Sequence, residues 1–104
     1  MLNKIVIVGR LNDKPILEET EQGNSVSTIT LVVPRTFKNE EGVYDNDYIN
    51  VTLLGSIAEN TKEYCEKGDL ISIKGRVARK DTMSSMEIIA DKVTFLSSKK
   101  VEDE

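Results

Sequence analysis

One helical segment set among strand-like segments constrains this chain of 104 residues more than any other feature. Ser56-Ile57-Ala58-Glu59 has the form of a capping box, in which the Ser56 hydroxyl accepts from the Glu59 amide while the Glu59 carboxylate reaches back. Ile57, Thr61, Tyr64 and Cys65 then recur at helical spacing, with Lys67 in the last turn and Gly68 placed to close the helix in a left-handed conformation. An alternating segment, residues 48–54, precedes the helix, and another, residues 70–77, follows it. Strands, one mid-chain helix, then strands is the order of a small barrel whose end the helix plugs.

The remaining segments fill out that order. Residues 3–11 are rich in Ile and Val on both parities, which predicts a first strand covered on both faces. Asp13-Lys14-Pro15 turns the chain, residues 16–20 form an extended arm, and Gln22-Gly23-Asn24 signals a hairpin. A second strand over residues 25–33 ends at Pro34, and residues 35–46 read as a polar hairpin loop with Glu41-Gly42 near its tip. Strands over residues 47–54, 70–79 and 86–96 complete the set, with Gly9 and Gly75 at expected bends or bulges. Tyr64, Cys65 and Phe95 sit on apolar faces and are expected in the core. Five strands with one helix between the third and fourth predict an all-β OB-fold barrel over residues 1–96, followed by a short acidic tail at 97–104. The outer face and loops of such barrels commonly bind single strands.

Several function classes are disfavoured at once. Histidine is absent and cysteine single, so no His-based triad, imidazole metal site or thiolate cluster can form. Neither a P-loop nor a dinucleotide fingerprint occurs, and no cofactor or metal is expected. Glu18, Glu19, Glu21, Asp45 and Asp47 fall in loops or at strand starts, where solvated acids are far commoner than an acid–base pair. No apolar run approaches the roughly 20 residues that span a bilayer, and Met1-Leu2-Asn3-Lys4 is too short an apolar start for a secretory signal. With no disulfide possible within the chain, the cytoplasm is the expected compartment. The formal charge is -4, but Glu102, Asp103 and Glu104 contribute three of the 18 acids, so the rest is close to neutral. A nearly neutral domain can still carry a basic stripe on one face.

Binding features are stronger. Arg35-Thr36-Phe37-Lys38 sets an aromatic between two cations, and Tyr44 and Tyr48 stand on the return arm of the same hairpin. A base stacks on such rings while neighbouring cations hold phosphates. Tyr48 shares strand parity with Asn50, Thr52 and Leu54, the more polar parity, so its ring is expected to face outward. In the fourth strand Lys74 and Arg76 alternate with Ile71, Ile73, Gly75 and Val77, which puts the cations outside. Arg79 and Lys80 extend the charge, and Arg10 joins it from the end of the first strand. Solvated strand cations would look the same, and an acidic protein partner would suit the row equally well.

These residues also resemble a family, the bacterial single-stranded DNA-binding proteins. The likeness begins in Asn3-Lys4-Ile5-Val6-Ile7-Val8-Gly9-Arg10-Leu11 and Ile29-Thr30-Leu31, and resumes in Arg35-Thr36-Phe37-Lys38-Asn39 and Asp47-Tyr48-Ile49-Asn50-Val51. It continues through Ala58-Glu59-Asn60, Tyr64-Cys65-Glu66-Lys67-Gly68, Ile73-Lys74-Gly75-Arg76-Val77 and Ala90-Asp91-Lys92-Val93-Thr94-Phe95-Leu96. It covers residues 1–96 without a large insertion. The resemblance implies an OB domain that assembles as a homotetramer, or as a dimer, and binds single-stranded DNA with little sequence preference. It implies that Phe37 and Tyr48 stack on bases, and that Ile5, Val6, Ile7, Val8 and Gly9 pair between subunits. Two family aromatics are replaced here, by Leu54 and near Asp81-Thr82, which implies weaker binding or a shifted strand path. The family's long tail with an acidic, hydrophobic tip has no counterpart in Val101-Glu102-Asp103-Glu104, which makes recruited protein partners doubtful.

The reading is therefore non-catalytic binding of single-stranded DNA in replication, recombination or repair. Stacking is expected on Phe37, Tyr48 and Tyr44, and phosphate contacts from Arg10, Arg35, Lys38, Lys74, Arg76, Arg79 and Lys80. The rival is an OB-fold adaptor whose main ligand is a protein, which the acidic balance and the missing aromatics favour. RNA is a third ligand to consider, because stacking hardly discriminates sugars.

Overall fold

The computed structural model describes residues 1–80 and 85–97. The loop at Asp81-Thr82 and the tail beyond Ser97 lie outside the described residues. Six strands and one helix follow in the order β1 (Ile5–Leu11), β2 (Glu18–Glu19), β3 (Ser25–Lys38), β4 (Tyr44–Leu54), α1 (Ser56–Tyr64), β5 (Leu70–Arg79) and β6 (Met86–Ser97). The sheet runs β1-β5-β6-β4-β3-β2, and β3 returns to β1 at Arg10↔Val32 and Leu11↔Leu31, closing the five long strands into a barrel. Every pairing is antiparallel except β4 with β6, which meet in parallel at Thr52↔Ile89. The expected OB-fold barrel is the observed one.

Period-two alternation sorts the side chains. Leu31, Val51, Leu53, Ile71 and Ile73 are fully enclosed, and Ile7, Leu11, Ile29, Ala58, Cys65 and Ala90 complete the core around them. Burial of such aliphatics stabilises by about 1.5–3 kcal/mol each. Gly75 is required by a close approach: a Cβ there would overlap the carbonyl of Ile89, at the point where the β5–β6 register slips. Asp91 is the extra residue of that bulge, between Ala90 (opposite Gly75) and Lys92 (opposite Lys74).

The helix departs from expectation at both ends. Its N-cap is Gly55, with φ 63° and no side-chain cap bond, because Ser56 is already helical. The Glu59 carboxylate is engaged elsewhere, accepting from the Ser25 hydroxyl at 2.6 Å. At the other end the helix stops at Tyr64, so Lys62 and not Lys67 lies in its last turn. Cys65 becomes extended and turns inward, its N–H donating to the Thr61 carbonyl at 3.0 Å. Gly68 is left-handed at φ 91°, but it serves the turn into β5, where its N–H donates to the Leu11 carbonyl at 2.9 Å.

Tyr64 and Phe95 are not core residues. They are 65% and 46% exposed, with ring centroids 6.3 Å apart. β6 has run past its contact with β4 at this point, so Phe95 keeps the inward parity of its partner Ile71 with little left to cover it. β1 is likewise uncovered on one face: Ile7, Gly9 and Leu11 are buried, Ile5 is half-buried, and Val6 and Val8 are exposed.

The hairpin between β3 and β4 is longer and more regular than the sequence predicts. Pro34 does not end β3. It pairs with Asn46, the register slips between Pro34 and Lys38, and Lys38 pairs with Tyr44. The connection shrinks to residues 39–43, where the Asn39 side-chain oxygen accepts from the N–H groups of Glu41 (2.9 Å) and Val43 (3.0 Å).

Candidate nucleic-acid interface

The outer face of β3 and β4 is a ladder of directly opposed pairs: Thr28–Thr52, Thr30–Asn50, Val32–Tyr48 and Pro34–Asn46. Opposed residues point to the same side of a sheet, so Tyr48 stands outside, as its parity requires, and is 63% exposed. Arg10 pairs with Val32 from the other side, so Arg10, Val32 and Tyr48 form one row across three strands. Phe37, at 83%, and Tyr44, at 53%, project from the two arms of the hairpin near its tip. None of the three rings belongs to the buried core.

The hairpin cations are held next to these rings. Lys38 Nζ lies 5.6 Å from the centroid of the Tyr44 ring, within cation–π range. Arg35 donates from Nε and Nη2 to one oxygen of Asp47, at 3.1 and 2.9 Å. This hydrogen bond, together with the Asp47 charge, raises the Arg35 pKa further above its ordinary value. Arg35, Phe37, Lys38 and Asp47 line a shallow depression of about 510 Å³ along the arm.

A second, more sheltered groove of about 340 Å³ lies where β4 meets β6. Thr28, Asn50 and Thr52 form one wall, and Lys80, Met86 and Glu87 the other. The Thr30 hydroxyl donates to Asn50 Oδ1 at 2.7 Å, and the Thr52 hydroxyl donates to Glu87 Oε1 at 3.0 Å. Of these lining residues only Lys80 was expected at the site. The shared parity of Asn50, Thr52 and Tyr48 was a visible signal for the first wall. Met86 and Glu87 carried none, because the β4–β6 pairing joins segments far apart in the chain.

The other expected cations are spread more widely. Lys74 and Arg76 are exposed on the outer face of β5, as the alternation predicts. Lys74 lies between Val6 of β1 and Lys92 of β6, so Lys92 adds a cation that sequence reasoning missed. Arg76 Nη1 donates to Asp91 at 2.8 Å, so this cation is shared with the bulge. Arg10 Nη1 donates to the Gly68 carbonyl at 3.0 Å, and Arg79 lies exposed at the end of β5. The structure thus brings Arg35, Lys38, Phe37, Tyr44 and Tyr48 together on one hairpin, places Arg10 on the Tyr48 row, and sets Lys74 and Arg76 on a separate panel beside β1.

The Single-strand binding protein family profile matches residues 2–96. The chain is 39% identical to Single-stranded DNA-binding protein B of Bacillus subtilis (strain 168), covering 95% of this chain and 94% of that protein. It is 41% identical to Single-stranded DNA-binding protein 2 of Staphylococcus aureus (strain Mu50 / ATCC 700699), covering 95% of this chain and 75% of that one. Among solved structures, a deletion variant of the single-stranded DNA binding protein from Thermus aquaticus superposes with a TM-score of 0.74 at 27% identity. That match covers 94% of this chain and 52% of the Thermus chain.

Proposed function

Because this chain belongs to the Single-strand binding protein family, we propose that it binds single-stranded DNA without chemistry, laying the strand along the outer face of the β3–β4 hairpin. The observation that supports this path is the exposure of Phe37, Tyr44 and Tyr48 on one hairpin, with Arg35 and Lys38 beside them. Every base has a π-face, so three such rings hold a strand with little regard to sequence. Arg10, Arg35, Lys38, Lys74, Arg76, Arg79 and Lys80 supply the phosphate contacts. The partners of Arg35 and Arg76 are solvent-exposed carboxylates, and exposed ion pairs contribute little, so each cation is readily shared with a phosphate.

Assembly is the second part of the reading. Over Ile5–Gly9, β1 is paired to β5 on one edge, while its backbone pairing with β3 is confined to Arg10 and Leu11, with Gly9 lying close against Val32 and Val33. The backbone of Ile5, Val6, Ile7, Val8 and Gly9 therefore offers a strand edge, and the exposed side chains of Val6 and Val8 offer apolar cover. We assign this edge to a second copy of the chain, in a tetramer by preference or a dimer. Ile7 and Gly9 belong to the core of their own barrel, so they take part through the backbone alone. Several modest sites on one assembly raise the effective concentration of each for the same strand.

The role assigned is the coating of exposed single strands during replication, recombination or repair, in the cytoplasm. No helix among the described residues is long and apolar enough to cross a membrane. The test is titration of a labelled thymine oligonucleotide at low and moderate salt, with a duplex control. Tight, salt-sensitive binding to the single strand and much weaker binding to the duplex is the expected result. Equal binding to both, or none at low salt, overturns the reading.

A further inference from the structure

A carboxylate is out of place on a face that attracts phosphates, yet Glu87 stands half-buried in the β4–β6 groove beside Asn50, Thr52, Lys80 and Met86. It is also held in position. The Thr52 hydroxyl donates to Oε1 at 3.0 Å, and Oε2 has no protein partner among the described residues. Asn50 is oriented in the same way, its Oδ1 accepting from the Thr30 hydroxyl at 2.7 Å. That leaves its amide hydrogens without a protein acceptor among the described residues. The groove therefore presents an acceptor and a donor, each fixed by a threonine from the neighbouring position. Met86 is 60% exposed at the rim, where its thioether can lie against a ring.

We propose that Asn50 and Glu87 form a base-reading subsite in this groove that favours cytosine over thymine. The proposal rests on the reading that the strand crosses this face. Cytosine carries a 4-amino donor next to the N3 acceptor, which match the Glu87 carboxylate and the Asn50 amide respectively. Thymine places the O4 acceptor where the amino group would be, and an oxygen facing Glu87 Oε2 is repelled. Lys80 holds a phosphate at the groove wall, so the backbone is anchored while the base edge is read. A binder that is otherwise sequence-tolerant thereby gains one discriminating position.

The experiment compares oligo(dC) and oligo(dT) of about 12 nucleotides, within the span of one OB domain, on the full chain at mildly alkaline pH, where cytosine tracts do not fold. The readout is the ratio of the two affinities, which removes effects common to both strands. Glu87→Gln should raise affinity for thymine and lower the dC/dT ratio by about threefold or more. Thr52→Val, which releases Glu87 and leaves its charge, should lower the ratio in the same direction and stands in if Glu87→Gln does not fold. A ratio unchanged in the folded variants, even with both affinities raised equally, overturns the subsite and reduces Glu87 to a simple repulsive charge. Failure of the underlying reading is separate: in that case Phe37→Ala and Tyr48→Ala would leave both affinities untouched.

Discussion

Arg35 donates two hydrogen bonds to a single oxygen of Asp47, at 3.1 and 2.9 Å, across the arms of the β3–β4 hairpin. Asp47 therefore aims the guanidinium along the hairpin and at the same time competes with any phosphate for it. Asp47→Asn should raise affinity for single-stranded DNA at low salt by roughly two- to fivefold. It should also steepen the salt dependence by about one unit or less, as one more cation takes up a phosphate. Salt titrations of the variant against the parent read both quantities, and a slope unchanged from the parent's would remove Arg35 from the phosphate path.

Phe37 and Tyr48 lie on opposite arms of that hairpin, and both rings are mostly exposed. Phe37→Ala and Tyr48→Ala should each weaken binding by about 1 kcal/mol or more while leaving thermal stability nearly unchanged. Tyr44 already packs under Lys38, so Tyr44→Ala should cost less. Fluorescence titration with a labelled oligonucleotide checks all three, and unaltered affinity in both of the first two would sink the stacking mechanism.

Val6 and Val8 point out of the barrel, so charged residues at these positions need not disturb the core. Val6→Glu with Val8→Lys should reduce the assembly to single folded chains, read by light scattering, with binding to long strands weakened more than binding to short ones. An unchanged mass would place the interface elsewhere.

Cys65 is enclosed between the end of α1 and β5, and burial, aided by the Asp69 charge, pushes its thiol up to about 11 from 9.0. Since the folded pKa lies above the unfolded one, the thiol's contribution is fully present below pH 9 and is lost as pH rises toward 11. The stability advantage of the parent over Cys65→Ala should therefore narrow by up to about 2–3 kcal/mol across that window. Denaturant melts of both proteins at matched pH measure it. Thiol labelling at neutral pH should also be slow in the native state and fast once the chain is unfolded.

Alternation alone was enough to place Lys74 and Arg76 outside and Ile71 and Ile73 inside, to turn Tyr48 outward, and to order the strands around one helix. Those are local properties, because side-chain direction in a strand depends only on parity. What tertiary structure decided was who stands beside whom. The Ser56–Glu59 capping box was a sound local pattern, but Ser25 arrived from β3 and took the carboxylate. Tyr64 and Phe95 have core-like spacing, yet the barrel ends before it covers them. Pro34 has the look of a stop, but its missing N–H costs nothing where the register slips, so the hairpin that carries the aromatics runs on. The groove holding Asn50, Thr52 and Glu87 exists only because closure brings Thr52 beside Ile89. Barrel closure and strand register are set by the summed packing of the whole sheet, and no short stretch of sequence contains them.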